Sequence, residues 1–141
     1  MECELPSVNS NKQEIKEIFK NIKTIAVLGL SPDETKDSHR VAKYLQAAGY
    51  KIVPIYPKGE TILGEKVYAS LAEVPFAVDM VNIFRKSDAL YAITDACIVK
   101  GDVKVFWAQK GIVNNVAAKK AEDAGMKVVQ NMCSMVEHRS L

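Results

Sequence analysis

The sequence predicts an α/β domain built on a parallel sheet of about five strands, doubly wound with helices on both faces. Three observations carry this. Short apolar runs alternate along the chain with segments of helical periodicity, the pattern of a parallel sheet with crossover helices. The run Ile25-Ala26-Val27-Leu28 is apolar without interruption up to Gly29, as a strand covered on both faces must be. Three predicted helices end at a glycine, Gly49, Gly101 and Gly125, the residue suited to the left-handed position after a helix.

Residues 1–10 are polar, contain Pro6 and show no periodicity, so they read as a flexible lead-in to a single domain over 11–141. Asn11 with Glu14 forms a capping-box pattern. Ile15, Ile18, Phe19 and Ile22 then mark one stripe of an extra N-terminal helix, with Lys12, Lys16, Glu17 and Lys20 on its solvated side. The first strand spans about 24–30. A polar loop over 31–37 follows, and Ser38 is placed as the N-cap of a helix running to Ala48. The second strand is Lys51–Tyr56, ended by Pro57-Lys58-Gly59. After an irregular piece, Ser70 and Glu73 predict a capping box on a helix of one or two turns that Pro75 stops. A third strand covers Val78–Phe84, and Ser87 is assigned as cap to a helix bearing Leu90, Ile93 and Cys97 on one face. The fourth strand is Val103–Ala108. Asn114 or Asn115 caps the next helix, and the fifth strand is Lys127–Gln130. The tail from Asn131 carries no clear assignment.

Composition narrows the function classes. The 141 residues are 48% hydrophobic and 26% charged, which fits one globular domain. A net charge of +2 is too small to argue for nucleic acid or an anionic membrane surface. Cys3, Cys97 and Cys133 are odd in number and widely spaced, forming neither a metal-ligand pattern nor a disulfide framework. No run approaches the length of a membrane span, and the beginning of the chain has no signal-like stretch, so a cytoplasmic location is expected.

Ligands of open parallel sheets bind beyond the carboxyl ends of the strands, where the strand order reverses. The first such end offers Gly29, Leu30 and Ser31, then the helix start at Ser38, His39 and Arg40. Strand, glycine turn and helix N-terminus together make a phosphate cradle. A cation such as Arg40 is disfavoured at that helix end by the dipole alone, so a bound anion would account for it. His39 reads as a surface residue, and Asp33, Glu34 and Asp37 are expected to point to solvent. The turn lacks the three-glycine dinucleotide fingerprint. After the second strand, where nicotinamide dinucleotide sites carry a carboxylate for the ribose, this chain has Lys58. An ammonium there favours a phosphorylated ribose, hence NADP or coenzyme A, unless Lys58 is an ordinary surface residue. Phe84 and Arg85 either wall a nucleotide and pair with a diphosphate, or are a core ring and a solvated cation. Gln109 and Gly111, with Asn131 and Cys133, occupy the remaining strand ends. Catalytic machinery is hard to find. Cys133 and His138 suggest a thiol–imidazole pair only weakly, and a packed, inert cysteine is the preferred reading.

Several segments resemble the small CoA-binding proteins, whose domain is similar to the CoA-binding domain that opens the succinyl-CoA synthetase alpha subunit. They are Ala26–Pro32, Ser38–Leu45, Gly49–Pro57, Ile62–Leu71, Asp79–Arg85, Trp107–Ile112 and Cys133–His138. The resemblance implies a Rossmann-like fold and a CoA or acyl-CoA site. In it Gly29, Leu30, Ser31, Ser38 and Arg40 hold the diphosphate, Lys58 meets the phosphorylated ribose and Pro57 lines the nucleotide. Ile83, Phe84 and Arg85 border the adenine end, and Gln109 and Gly111 close the opposite side. It implies no synthetase activity, because the second synthetase domain has no counterpart here. The leading expectation is therefore a non-catalytic CoA-binding module, with no metal, no nucleic acid and no membrane among its partners. The alternatives are an NADP-dependent enzyme and a regulatory protein whose nucleotide site is unused.

Overall fold

The computed structural model describes residues 5–141; Cys3 and the first residues of the lead-in lie outside it. The chain forms α1 (Lys12–Asn21), β1 (Thr24–Leu28), α2 (Asp37–Ala47) and β2 (Lys51–Ile55). A small antiparallel hairpin of β3 (Thr61–Ile62) and β4 (Glu65–Lys66) follows. Then come β5 (Met80–Ile83), α3 (Leu90–Lys100), β6 (Val105–Ala108), α4 (Asn115–Asp123), β7 (Lys127–Val129) and α5 (Ser134–Arg139). Five strands form one sheet in the order β2-β1-β5-β6-β7, and every pairing is parallel. The chain winds outward from β1 to β2, then returns to the other side of β1 for β5. The order therefore reverses between β1 and β5, and a ligand crevice is expected above that gap. This is the predicted Rossmann-like, doubly wound α/β fold.

Alternation along each strand builds two cores. Ile25, Val27, Met80, Val105, Trp107 and Val129 pack under α1, α2 and α5 with Ile15, Phe19, Val41 and Leu45. Ala26, Leu28, Val81, Ile83, Phe106 and Val128 face the opposite layer with Leu90, Ile93, Cys97, Ala117 and Ala121. Trp107 and Phe106 are fully buried on opposite faces of the same strand. Each such ring contributes roughly 1.5–3 kcal/mol by leaving water.

α1 begins as predicted: the Asn11 side chain accepts from the Glu14 amide at 2.9 Å, and Glu14 accepts from the Asn11 amide at 3.0 Å. Asn114 caps α4 by accepting from the Ala117 amide. Elsewhere the boundaries move. α2 starts at Asp37 with Lys36 in the cap position, so Ser38 lies inside the helix and is not its cap. The Ser70–Glu73 segment makes only a three-residue 3-10 turn, because the Ser70 hydroxyl bonds the Glu73 carboxylate at 3.2 Å instead of a backbone amide. Ser87 sits within a second 3-10 turn, and its hydroxyl accepts from the Val113 amide at 3.1 Å.

The unassigned tail forms α5, held by tertiary contacts. The Ser134 amide donates to Gln109 Oε1 at 2.9 Å, and the His138 ring stands edge-on to Phe19, Tyr44 and Tyr50. Residues 7–10 have no regular structure, yet they strap the outer edge of β7. Asn9 Oδ1 accepts from the Gln130 amide at 2.9 Å, and Ser10 Oγ donates to the Val128 carbonyl at 2.8 Å.

Candidate functional site

A cleft of about 980 Å³ opens over the carboxyl ends of β1, β2 and β5. Its rim includes Gly29 and Ser31 after β1, Tyr56 and Pro57 after β2, and Phe84 and Arg85 after β5. Lys36, Asp37 and Ser38 bring the start of α2 to one side. Ala92, Ile93 and Ala96 of α3 form an apolar wall on the other. The volume is at the upper end of small-molecule sites.

Gly29 shapes this cleft. Its φ is +85°, and its amide donates to the Ile55 carbonyl at 3.0 Å. A Cβ there would stand 2.6 Å from the Phe84 carbonyl oxygen. Only glycine lets the ends of β1 and β5 come this close while the chain turns towards α2.

The loop after Gly29 is held from within α2. Ser38 Oγ accepts from the Ser31 amide at 3.0 Å, and His39 Nδ1 lies 2.9 Å from the Ser31 carbonyl oxygen. His39 is only 6% exposed, so it is an interior ring and not the surface residue expected. Ser31 Oγ accepts from the Asp33 amide at 3.1 Å. Asp33 and Glu34 are exposed, as expected. The Thr35 hydroxyl and amide both donate to Asp33 and hold its carboxyl below the usual carboxylate value. Asp37 borders the cleft and is committed to an ion pair with Arg40. Arg40 also donates to the Thr35 carbonyl at 3.3 Å and is not on the cleft wall.

The structure brings Gly29, Ser31, Ser38, Pro57, Phe84 and Arg85 to one cleft. Leu30 and Ile83 are fully buried in opposite cores, so only their main chains reach this end of the sheet. Lys58 is exposed one residue beyond Pro57 and does not line the cleft. Gln109 spends both ends of its side-chain amide on Ser134, at 2.9 and 3.2 Å. The Gly111 amide donates to Asn131 Oδ1 at 2.7 Å, and Gly111 lines an adjoining groove that shares Phe84 and Arg85 with the cleft. Cys133 and His138 do not pair: His138 Nδ1 is hydrogen-bonded to the Tyr44 hydroxyl at 2.9 Å.

Sequence reasoning missed Lys36 and the α3 wall. The signal for the wall was present, since Leu90, Ala92, Ile93, Ala96 and Cys97 make α3 apolar on more than one side. Lys36 and Arg85 make no ion pair among the described residues. The Asp37 and Ser38 amides, in the first turn of α2, have no intrahelical acceptor. The cleft thus combines free amides, two unpaired cations and an apolar wall, an arrangement suited to an anionic ligand with an apolar body. Among the described residues no group of His, Cys, Asp and Glu could hold a metal ion, and no helix is long and apolar enough to cross a membrane.

Known proteins resemble this chain in sequence and in fold. The YneT protein of Bacillus subtilis is 41% identical over 130 residues, which cover 92% of this chain and 96% of YneT. The acetate–CoA ligase (ADP-forming) of Methanocaldococcus jannaschii is 32% identical over 79 residues, covering 56% of this chain and 11% of the ligase. The solved structure of a hypothetical protein from Pyrococcus horikoshii OT3 superposes with a TM-score of 0.90 at 38% identity, covering 100% of this chain and 99% of the other. The model of the CoA binding domain matches residues 23–139, every strand of the sheet and the whole cleft, and the chain belongs to that family.

Proposed function

We propose that this chain binds coenzyme A, free or acylated, in the cleft above β1 and β5, and that it does so without catalysis of its own. The observation that carries the reading is the Gly29 turn. It sets a close backbone approach beside the open amides of Asp37 and Ser38, at the switch point of the sheet. A diphosphate there would take hydrogen bonds from those amides and from the Ser31 hydroxyl, with Lys36 and Arg85 neutralising its charge. The main chain at Leu30 and Ile83 borders the same end of the sheet. Pro57 and Phe84 offer apolar surface to the adenosine, and Lys58, exposed one residue beyond Pro57, would meet the 3′-phosphate. Gly111 flanks the adjoining groove, and Gln109 supports it indirectly by holding α5.

A binding role fits the lining better than acid–base chemistry. The walls carry no histidine, cysteine or glutamate, and their one carboxylate, Asp37, is engaged by Arg40. Calorimetric titration with CoA, dephospho-CoA and NADPH tests the reading. CoA should bind, and the Lys58→Glu variant should weaken CoA while leaving dephospho-CoA unchanged. Binding of NADPH alone would turn the reading towards a dehydrogenase. Absence of heat with all three, from folded protein shown by mass spectrometry to carry no ligand, would refute it.

A further inference from the structure

We propose that His39 is a positioning residue of the cleft: its ring fixes the Ser31 peptide so that the Ser31 hydroxyl faces the bound anion. The proposal rests on the reading of the cleft as a CoA site. Ser31 is gripped on every polar group. Its carbonyl oxygen lies 2.9 Å from His39 Nδ1, and a carbonyl only accepts, so Nδ1 carries the proton. Its amide donates to Ser38 Oγ at 3.0 Å. Its own Oγ accepts from the Asp33 amide at 3.1 Å, which leaves the hydroxyl proton free to point into the cleft. Ser38 and His39 are consecutive, both 6% exposed, and belong to the helix whose first turn borders the cleft. Helix and loop are therefore set relative to one another by two part-buried hydrogen bonds to a single residue.

The one other side-chain tie from α2 to this loop among the described residues is the exposed bond from Arg40 to the Thr35 carbonyl at 3.3 Å. Pro32, Asp33, Glu34, Thr35 and Lys36 are exposed, and the bonds within Asp33–Lys36 are local to that turn. Without the ring, the loop keeps its local turn and the Ser38 bond, but the Ser31 carbonyl is released and the peptide can tilt against α2. Binding must then order the Ser31 peptide, and that cost appears as lost affinity. His39 touches no ligand in this scheme; it acts through Ser31.

The test compares three variants of the full chain. His39→Asn keeps an amide N–H where Nδ1 stands, His39→Gln places one nearer the Nε2 position, and His39→Leu removes the donor. Two quantities are read: CoA affinity by calorimetry, and exchange of the Ser31 amide with deuterium in ligand-free protein by NMR. His39→Leu and His39→Gln should bind CoA about tenfold more weakly and exchange the Ser31 amide about tenfold faster, as the loss of one hydrogen bond implies. His39→Asn should stay within about threefold of the unaltered protein in both, on the same basis. The proposal is overturned if Asn and Gln are equally impaired, or if all variants match the unaltered chain. Should His39→Leu fail to fold, the Asn–Gln contrast still decides. If the unaltered protein takes up no CoA, the binding reading falls, while the exchange rates judge the clamp on their own.

Discussion

Replacing Gly29 by alanine should cost far more than any other glycine-to-alanine change in the chain. Two separate penalties fall on this residue. Its φ of +85° is a conformation L-residues avoid, which costs about 1–2 kcal/mol. The added Cβ would also meet the Phe84 carbonyl oxygen at 2.6 Å. That oxygen belongs to main chain, and the Phe84 amide is tied to the Leu28 carbonyl at 2.9 Å, so the obstacle cannot rotate away. Forcing β1 and β5 apart at this end costs a further amount on the order of 1–3 kcal/mol, as overpacking does. Gly125 supplies the control: its φ is +97°, but nothing lies within 4 Å of its Cβ position. Urea unfolding followed by circular dichroism should show a loss of about 3 kcal/mol for Gly29→Ala and about 1 kcal/mol for Gly125→Ala. For a chain of this size the larger loss lowers the melting temperature by roughly 10 °C. Equal losses in the two variants, within about 0.5 kcal/mol, would show that the Phe84 contact contributes nothing and that the cleft does not depend on glycine.

Three further outcomes are expected. Gln130 is fully buried, accepts from the Asn114 amide at 2.8 Å and donates to the Val8 carbonyl at 2.9 Å. Gln130→Ala should therefore lose about 2–3 kcal/mol in urea unfolding and speed proteolytic cutting before Asn11. Burial pushes the Cys97 thiol up to about 12, so native protein at pH 8 should leave this cysteine unlabelled by a thiol reagent until it unfolds. The unfolded thiol ionises near 9 while the folded one keeps its proton, so this contribution is intact below pH 9 and falls as pH rises towards 12. Between pH 8 and 10.5 the unaltered chain should lose about 2 kcal/mol more than Cys97→Ala. Arg85→Ala should weaken CoA binding about tenfold, whereas Arg40→Ala, whose guanidinium is engaged by Asp37 and Thr35, should weaken it less than about threefold.

The fold was largely legible because its signals are local. The unbroken run into Gly29, the Asn11–Glu14 box and the Asn114 cap each act over a few residues, and each appears where expected. Two of the misreadings share a cause: a polar side chain with an attractive local use has a partner outside its own turn instead. Ser38 looks like a cap but accepts from Ser31, and Ser87 looks like a cap but accepts from Val113. Six-residue α5 was invisible because its support is also non-local. A helix that short is marginal by propensity, and it exists here because Gln109 receives its first amide and an aromatic group surrounds His138.

The candidate site shows where a charge argument from sequence turns over. Arg40 stands at the unfavourable end of the α2 dipole, and from sequence that placement called for a bound anion. The structure provides the anion internally, as Asp37, three residues back on the same turn. Once that pair is formed, Arg40 says nothing about a ligand, and Asp37 is no longer free to repel one. The demand for an anion passes to Lys36 and Arg85, which face the cleft without a carboxylate partner among the described residues. Neither looks special in the sequence, because one lies in a polar loop and the other follows a strand. What sets them apart is the Gly29 turn, which draws the end of β5 against β1 and so carries Arg85 to the start of α2. The electrostatics of this cleft are thus a consequence of one close backbone contact, and a change that relaxes the contact should weaken anion binding even with every cation in place.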